Sequence, residues 1–135
     1  MIKRMIVGPS SVSKPFWKAT ENKQFMLKWC IGCNRPHHYP REVCPYCLGT
    51  DLEWRPASGD GEVYAFTIIY RPPMPSLADL VPYVVALIDL AEGPRMMSGV
   101  VGCNPNKVKV GMKVKLTWEE IPEGRHLPLF EPAQD

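Results

Sequence analysis

The chain has 135 residues, 45% of them apolar and 22% charged, with a formal net charge of +2. This length suits one compact domain or a small domain carrying a mini-domain. No run approaches the roughly 18 apolar residues of a membrane span, the polar, charged N-terminus with Lys3 and Arg4 has no apolar h-region and so argues against a signal peptide, and the charge is too small for a dedicated nucleic-acid binder. The expectation is a cytosolic protein without a membrane anchor.

Residues 1–12 show no strong pattern and are expected to form an arm. Ser13 is a candidate helix cap with Pro15 in the first turn, predicting a helix over 15–23. Its apolar content is Phe16, Trp17 and Ala19, too narrow a stripe to build a core. It must pack on the rest of the chain or on another chain. Phe25, Leu27 and Trp29 then alternate with Met26 and Lys28, a strand pattern leading into Cys30.

The block that follows carries the strongest signal, Cys30-x2-Cys33-x10-Cys44-x2-Cys47. Each CxxC forms a knuckle with both thiolates on one side, and two facing knuckles give the tetrahedral sulfur set that zinc prefers. Gly32 and Asn34 both tolerate the positive φ that such turns need. Pro45 stiffens the second knuckle and Gly49 relaxes its exit. Four thiolates fill every coordination position, so one structural zinc ion is expected and iron is the alternative. His37 and His38 lie between the knuckles; with four cysteines present they read as exposed loop residues. Trp29 and Trp54 are expected to pack around the ion. Cys103 is unpaired and reads as a small buried apolar residue.

Charge divides along the chain. Residues 1–58 carry nine Lys/Arg against four Asp/Glu, whereas residues 59–121 carry six against seven. Trp54 opens a return segment that ends at Ser58-Gly59-Asp60-Gly61. From there the pattern is β. Strands are expected at 62–70, at 83–90 with Val84, Ala86, Ile88 and Leu90 on one face, at 95–101, at 113–121, and near Leu127, Leu129 and Phe130. Residues 71–81 form a proline-rich loop, and Gly99 and Gly102 are candidates for a bulge or sharp curve. The fold class is mainly β: an N-terminal helix (residues 1–27 with its arm), a zinc ribbon (28–56) and a five-stranded barrel of the OB type (57–135). A small open sandwich is the runner-up. No G-x-S-x-G, P-loop, H-E-x-x-H or G-x-G-x-x-G is present, and Glu119 and Glu120 fall on opposite strand faces. No catalytic residues are assigned.

The order of motifs resembles one family: an N-terminal helix, a rubredoxin-like zinc ribbon and a C-terminal OB-fold associated with acyl-CoA, long a domain of unknown function. The matching stretches are Phe16-Trp17, C-I-G-C at 30–33, Y-P-R-E-V-C-P-Y-C at 39–47, Leu52-Glu53-Trp54 and S-G-D-G-E-V-Y-A-F-T at 58–67. They continue with Pro82 to Ala86, Glu92 to Arg95, Val110 to Val114 and Leu129 to Pro132, covering about residues 15–132. Asn34 departs from the glycine that the family prefers. The resemblance implies a non-catalytic accessory subunit of a thiolase-superfamily enzyme, such as an acetyl-CoA acetyltransferase, an acyltransferase or a lipid-transfer-like aldolase. It implies that helix and ribbon dock on that partner while the OB-fold lies near the acyl-CoA channel. Phe16, Trp17, Tyr39, Met74 and Leu77 are the candidate partner contacts. Arg71 and Arg95 are the candidate CoA contacts. A nucleic-acid module is the alternative, since zinc ribbons and OB-folds both occur there, and an independent acyl-CoA enzyme is the third reading.

Overall fold

The computed structural model describes residues 8–133. The expected arm therefore lies outside the described residues as far as Val7. Helix α1 (Lys14–Thr20) is shorter than the sequence pattern suggests. Thr20 turns inward, and Lys23 at φ 57 takes the left-handed position that ends the segment. Ser13 precedes the helix but makes no side-chain cap. Its hydroxyl instead accepts the Ser10 N–H at 2.9 Å, and Ser10 Oγ accepts the Ser13 N–H at 3.1 Å.

Strands β1 (Met26–Cys30), β2 (Arg35–His37) and β3 (Leu52–Pro56) form an antiparallel sheet in the order β2-β1-β3. Such a sheet is too small to hold its own core. Leu27 and Phe25 are 1% and 4% exposed because they join the barrel's core rather than one of the ribbon's own.

The barrel contains β4 (Asp60–Ile69), β5 (Tyr83–Leu90), β6 (Arg95–Val100), β7 (Lys113–Glu120) and β8 (His126–Pro132). It closes in the order β4-β5-β6-β8-β7, with β7 pairing back onto β4. Val84, Ala86, Ile88 and Leu90 alternate inward as their period-2 pattern requires. Val63, Val114 and Phe130 meet them at 1% exposure or less. The bulge lies not at Gly99 or Gly102 but in β4, between Val63 and Ala65. Gly99 pairs in regular register with Val85. Gly61 is required by contact: a Cβ there would meet Ile88 Cγ2 at 2.7 Å. The proline-rich loop contains a 3-10 helix, Pro75–Leu80.

The closing contact, β6 against β8, is parallel and short, with one register pair, Val100 and Phe130. The strands splay beyond it, where Ser98 Oγ donates to the Pro128 carbonyl at 2.9 Å. The helix lies beside this opening. Thr20 is fully buried, and its hydroxyl accepts the His126 N–H at 3.2 Å. His126 Nδ1 donates to the Thr20 carbonyl at 2.8 Å, binding α1 to β8.

Candidate metal centre and the cleft beside it

Cys30 ends β1 and Cys33 lies in the turn after it, and the loop before β3 carries Cys44 and Cys47. Their four sulfurs all lie within 4.8 Å of one another. Cys30 Sγ is 3.6 Å from Cys47 Sγ, and Cys33 Sγ is 3.7 Å from Cys44 Sγ. A tetrahedral ion with bonds of about 2.3 Å sets its sulfurs about 3.8 Å apart, so the set fits one ion.

The backbone prepares each knuckle. The Cys33 N–H donates to Cys30 Sγ at 3.5 Å, and the Tyr46 N–H to Cys44 Sγ at 3.4 Å. The residue after each knuckle takes a left-handed conformation: Asn34 at φ 58 and Leu48 at φ 64. Gly32 does not, so the freedom expected there is used one turn later. Without the ion the thiols compete. Burial and neighbouring thiols push Cys33 up to about 12. Cys44, despite burial, is brought down to about 7 by the backbone N–H groups of Cys47 and Tyr46.

The surroundings correct the reading of the histidines. His37 is 2% exposed on β2, and burial together with Lys28 and Arg41 lowers its pKa. His38 lies between Phe16 (5.9 Å) and Tyr39 (4.3 Å), and burial lowers its pKa to about 4. They are not exposed because the loop after β2 folds back onto α1 and the barrel. Of the two tryptophans, Trp29 stays near the knuckle, donating from Nε1 to Asn34 Oδ1 at 3.1 Å under the Arg55 guanidinium. Trp54 packs on the core beneath Lys28. Cys103 is half-buried against the core.

The candidate docking residues are dispersed. Phe16 is 5% exposed and already covered by the chain's own core. Trp17 is half-buried, beneath Arg125. Tyr39 is 53% exposed, yet its hydroxyl accepts the Met97 N–H at 3.0 Å and ties the ribbon loop to β6. Met74 and Leu77 are half-buried at the start of the 3-10 turn. Arg71 is exposed. Arg95 is occupied: it pairs with Asp89 at 2.6 Å and lies 3.4 Å over the Tyr64 ring.

Sequence reading missed a cleft of about 380 Å³ where α1, the ribbon loop and the splayed β6–β8 edge meet. Its wall joins residues some 80 positions apart in the chain, such as Trp17, Met97 and Gly99, which no local pattern connects.

Residues 17–53 match the family described as "ChsH2, rubredoxin-like zinc ribbon domain", and residues 54–119 the one described as "ChsH2, C-terminal OB-fold domain". A chain of a solved structure, "Ltp2-ChsH2(DUF35) aldolase", superposes with a TM-score of 0.84 at 32% identity, over 94% of this chain and 98% of that one. The chain belongs to the ChsH2/DUF35 family. A DUF35 domain-containing scaffold protein of Methanocaldococcus jannaschii is 35% identical over 95 residues, 70% of this chain and 67% of its own length. A probable enoyl-CoA hydratase alpha subunit of Thermomonospora curvata is 37% identical over 119 residues, 87% of this chain. The match spans only 37% of that relative's length. The ChsH2/DUF35 family thus accounts for both halves of the fold, the four-cysteine ribbon and the closed barrel. Among the described residues no helix is long and apolar enough to cross a membrane.

Proposed function

We propose that this chain is a non-catalytic accessory subunit that docks on a thiolase-superfamily or lipid-transfer-like enzyme and helps to bind or channel acyl-CoA in the cytoplasm. In this reading Cys30, Cys33, Cys44 and Cys47 hold one zinc ion. The observation that carries the reading is the closed thiolate set, standing on a ribbon that shares its core with the barrel. Four protein sulfurs leave an ion no open position for substrate, so the metal would serve shape rather than chemistry. The likeness to the ChsH2(DUF35) chain of the Ltp2–ChsH2 aldolase supports a subunit role, as do the relatives named scaffold proteins.

The ribbon, residues 28–56, and the loop with Met74 and Leu77 are the surfaces assigned to docking. Tyr39 and Trp17 serve at the edge of the cleft, and Arg71, which is exposed, is the better placed of the two arginines for a phosphate. The test is purification from the native source under mild conditions. Associated chains are identified by mass spectrometry, and the complex is then rebuilt from separately purified parts. The expected result is a defined complex with a thiolase-superfamily subunit, with turnover in that subunit and none in this chain alone. Acyl-CoA turnover by the isolated chain contradicts the proposal, as does a partner that is neither thiolase-like nor lipid-transfer-like.

A further inference from the structure

The four sulfurs of the metal centre are not equally sheltered. Cys30 and Cys44 are fully buried, Cys33 is half-buried and Cys47 is exposed. The contacts at 3.6 Å (Cys30 to Cys47) and 3.7 Å (Cys33 to Cys44) both cross from one knuckle to the other. Each joins a buried sulfur to a more accessible one. The chain opens further at Cys47. A Cβ at Gly49 would stand 3.2 Å from Cys47 Sγ, so the glycine leaves one side of that sulfur bare. Gly49 takes no left-handed φ, and its backbone conformation therefore does not call for glycine. At the other knuckle a Cβ on Gly32 would sit at an ordinary 3.7 Å from Cys30 Sγ, a sulfur already buried.

Cysteines oxidise according to thiolate character and access. Coordination to a metal keeps all four as thiolates, so access decides among them, and it favours Cys47. A disulfide needs its sulfurs about 2.05 Å apart. Cys30 Sγ, at 3.6 Å, is close enough to supply the second sulfur after a small movement.

We infer that Cys47 is an oxidation site for hydrogen peroxide, that Cys30 is its resolving thiol, and that the Cys30–Cys47 disulfide unloads the metal from the ribbon. The Cys47 thiolate attacks one peroxide oxygen, the O–O bond breaks, and a sulfenic acid and hydroxide form. The Cys30 thiolate then attacks the Cys47 sulfur, the S–O bond breaks, and a second hydroxide leaves. Two electrons pass from the sulfurs to the peroxide, and two protons from solvent turn the hydroxides into water. Cys33 and Cys44 remain, half of the set that a closed zinc site needs. The inference rests on the zinc half of the function proposed above and adds a means of switching it off. The sheet β2-β1-β3 has no core of its own, so oxidation removes the brace from the surface assigned to docking.

The test treats the full zinc-loaded chain with hydrogen peroxide. A coloured chelator follows zinc release, a 1,3-diketone traps sulfenic acid, and peptide mapping without reductant locates the disulfide. The expected result is a trapped label at Cys47, a Cys30–Cys47 bond and release of the zinc, all reversed by a dithiol with added zinc. Gly49→Ala, which covers Cys47 Sγ, should slow release severalfold, whereas Gly32→Ala should leave it unchanged. Zinc content before treatment verifies that both variants hold the ribbon, and if Gly49→Ala does not, the label and the peptide map of the parent decide. A label first at Cys33, a disulfide within one knuckle, zinc that stays bound under peroxide, or equal release from the parent and a zinc-loaded Gly49→Ala overturns the inference while the zinc reading stands. A purified chain without zinc overturns both.

Discussion

Two residues hold the ribbon's unusual backbone, and one of them is a poor choice for it. Asn34 is tolerated in the left-handed region because its short polar side chain bonds locally, here to Trp29. Leu48 is not favoured there, and at 75% exposure it gains little from packing. A non-glycine residue in that region costs about 1 kcal/mol or more. Leu48→Gly should therefore stabilise the ribbon by about 1 kcal/mol, read as slower zinc loss to a chelator; faster loss would contradict this account. His38 makes a second prediction. Its folded-state pKa is near 4, below the ordinary 6.5, so in the window between these values the unfolded chain binds more protons than the folded one. Stability should be full above about pH 6.5 and fall as pH drops towards 4, by roughly 3 kcal/mol at the limit. His38→Phe keeps the ring contacts with Phe16 and Tyr39 and should flatten that part of the profile. An unchanged slope in urea titrations between pH 4.5 and 7 would contradict the assignment.

Among elements, the joints matter more than the pieces. The sheet β2-β1-β3 has no core of its own and is held by the metal knuckles at one end and by Phe25 and Leu27 in the barrel at the other. Helix α1 is fixed through Thr20, whose side chain serves the His126 N–H. Thr20→Val removes that acceptor and leaves a part-buried donor unmatched, which should cost about 1–3 kcal/mol by thermal unfolding. The Tyr39 hydroxyl does lighter work, so Tyr39→Phe should cost about 1 kcal/mol and speed hydrogen exchange at the Met97 amide. Most of the strands were legible in the sequence because alternation states which face is buried: Val84, Ala86, Ile88 and Leu90 could be read directly. The cysteine set was legible because its spacing is itself the constraint. The joints were not. Thr20 and His126 are 106 positions apart, and nothing near either residue announces the other. The buried His37 and half-buried His38 were misread for the same reason, since the loop that follows them returns to a contact with β6 through Tyr39.

At the scale of the whole molecule, a metal-braced platform joins a β-barrel, with an apolar cleft at their junction. The closed thiolate set gives the platform rigidity and gives substrate no place at the metal. The splay of β6 from β8 gives the junction its volume, because only Val100 and Phe130 keep the two strands in register. All of it depends on the ion, since a sheet of three short strands does not hold its shape unaided.

The most direct measurement is therefore elemental analysis of the purified chain, paired with amide hydrogen exchange before and after chelation. The account predicts one zinc per chain. It also predicts that stripping the ion abolishes protection in β1, β2 and β3 while the amides of β4, β5 and β7 remain protected. A chain that purifies without stoichiometric metal, or a ribbon that stays equally protected once the metal is gone, would contradict it.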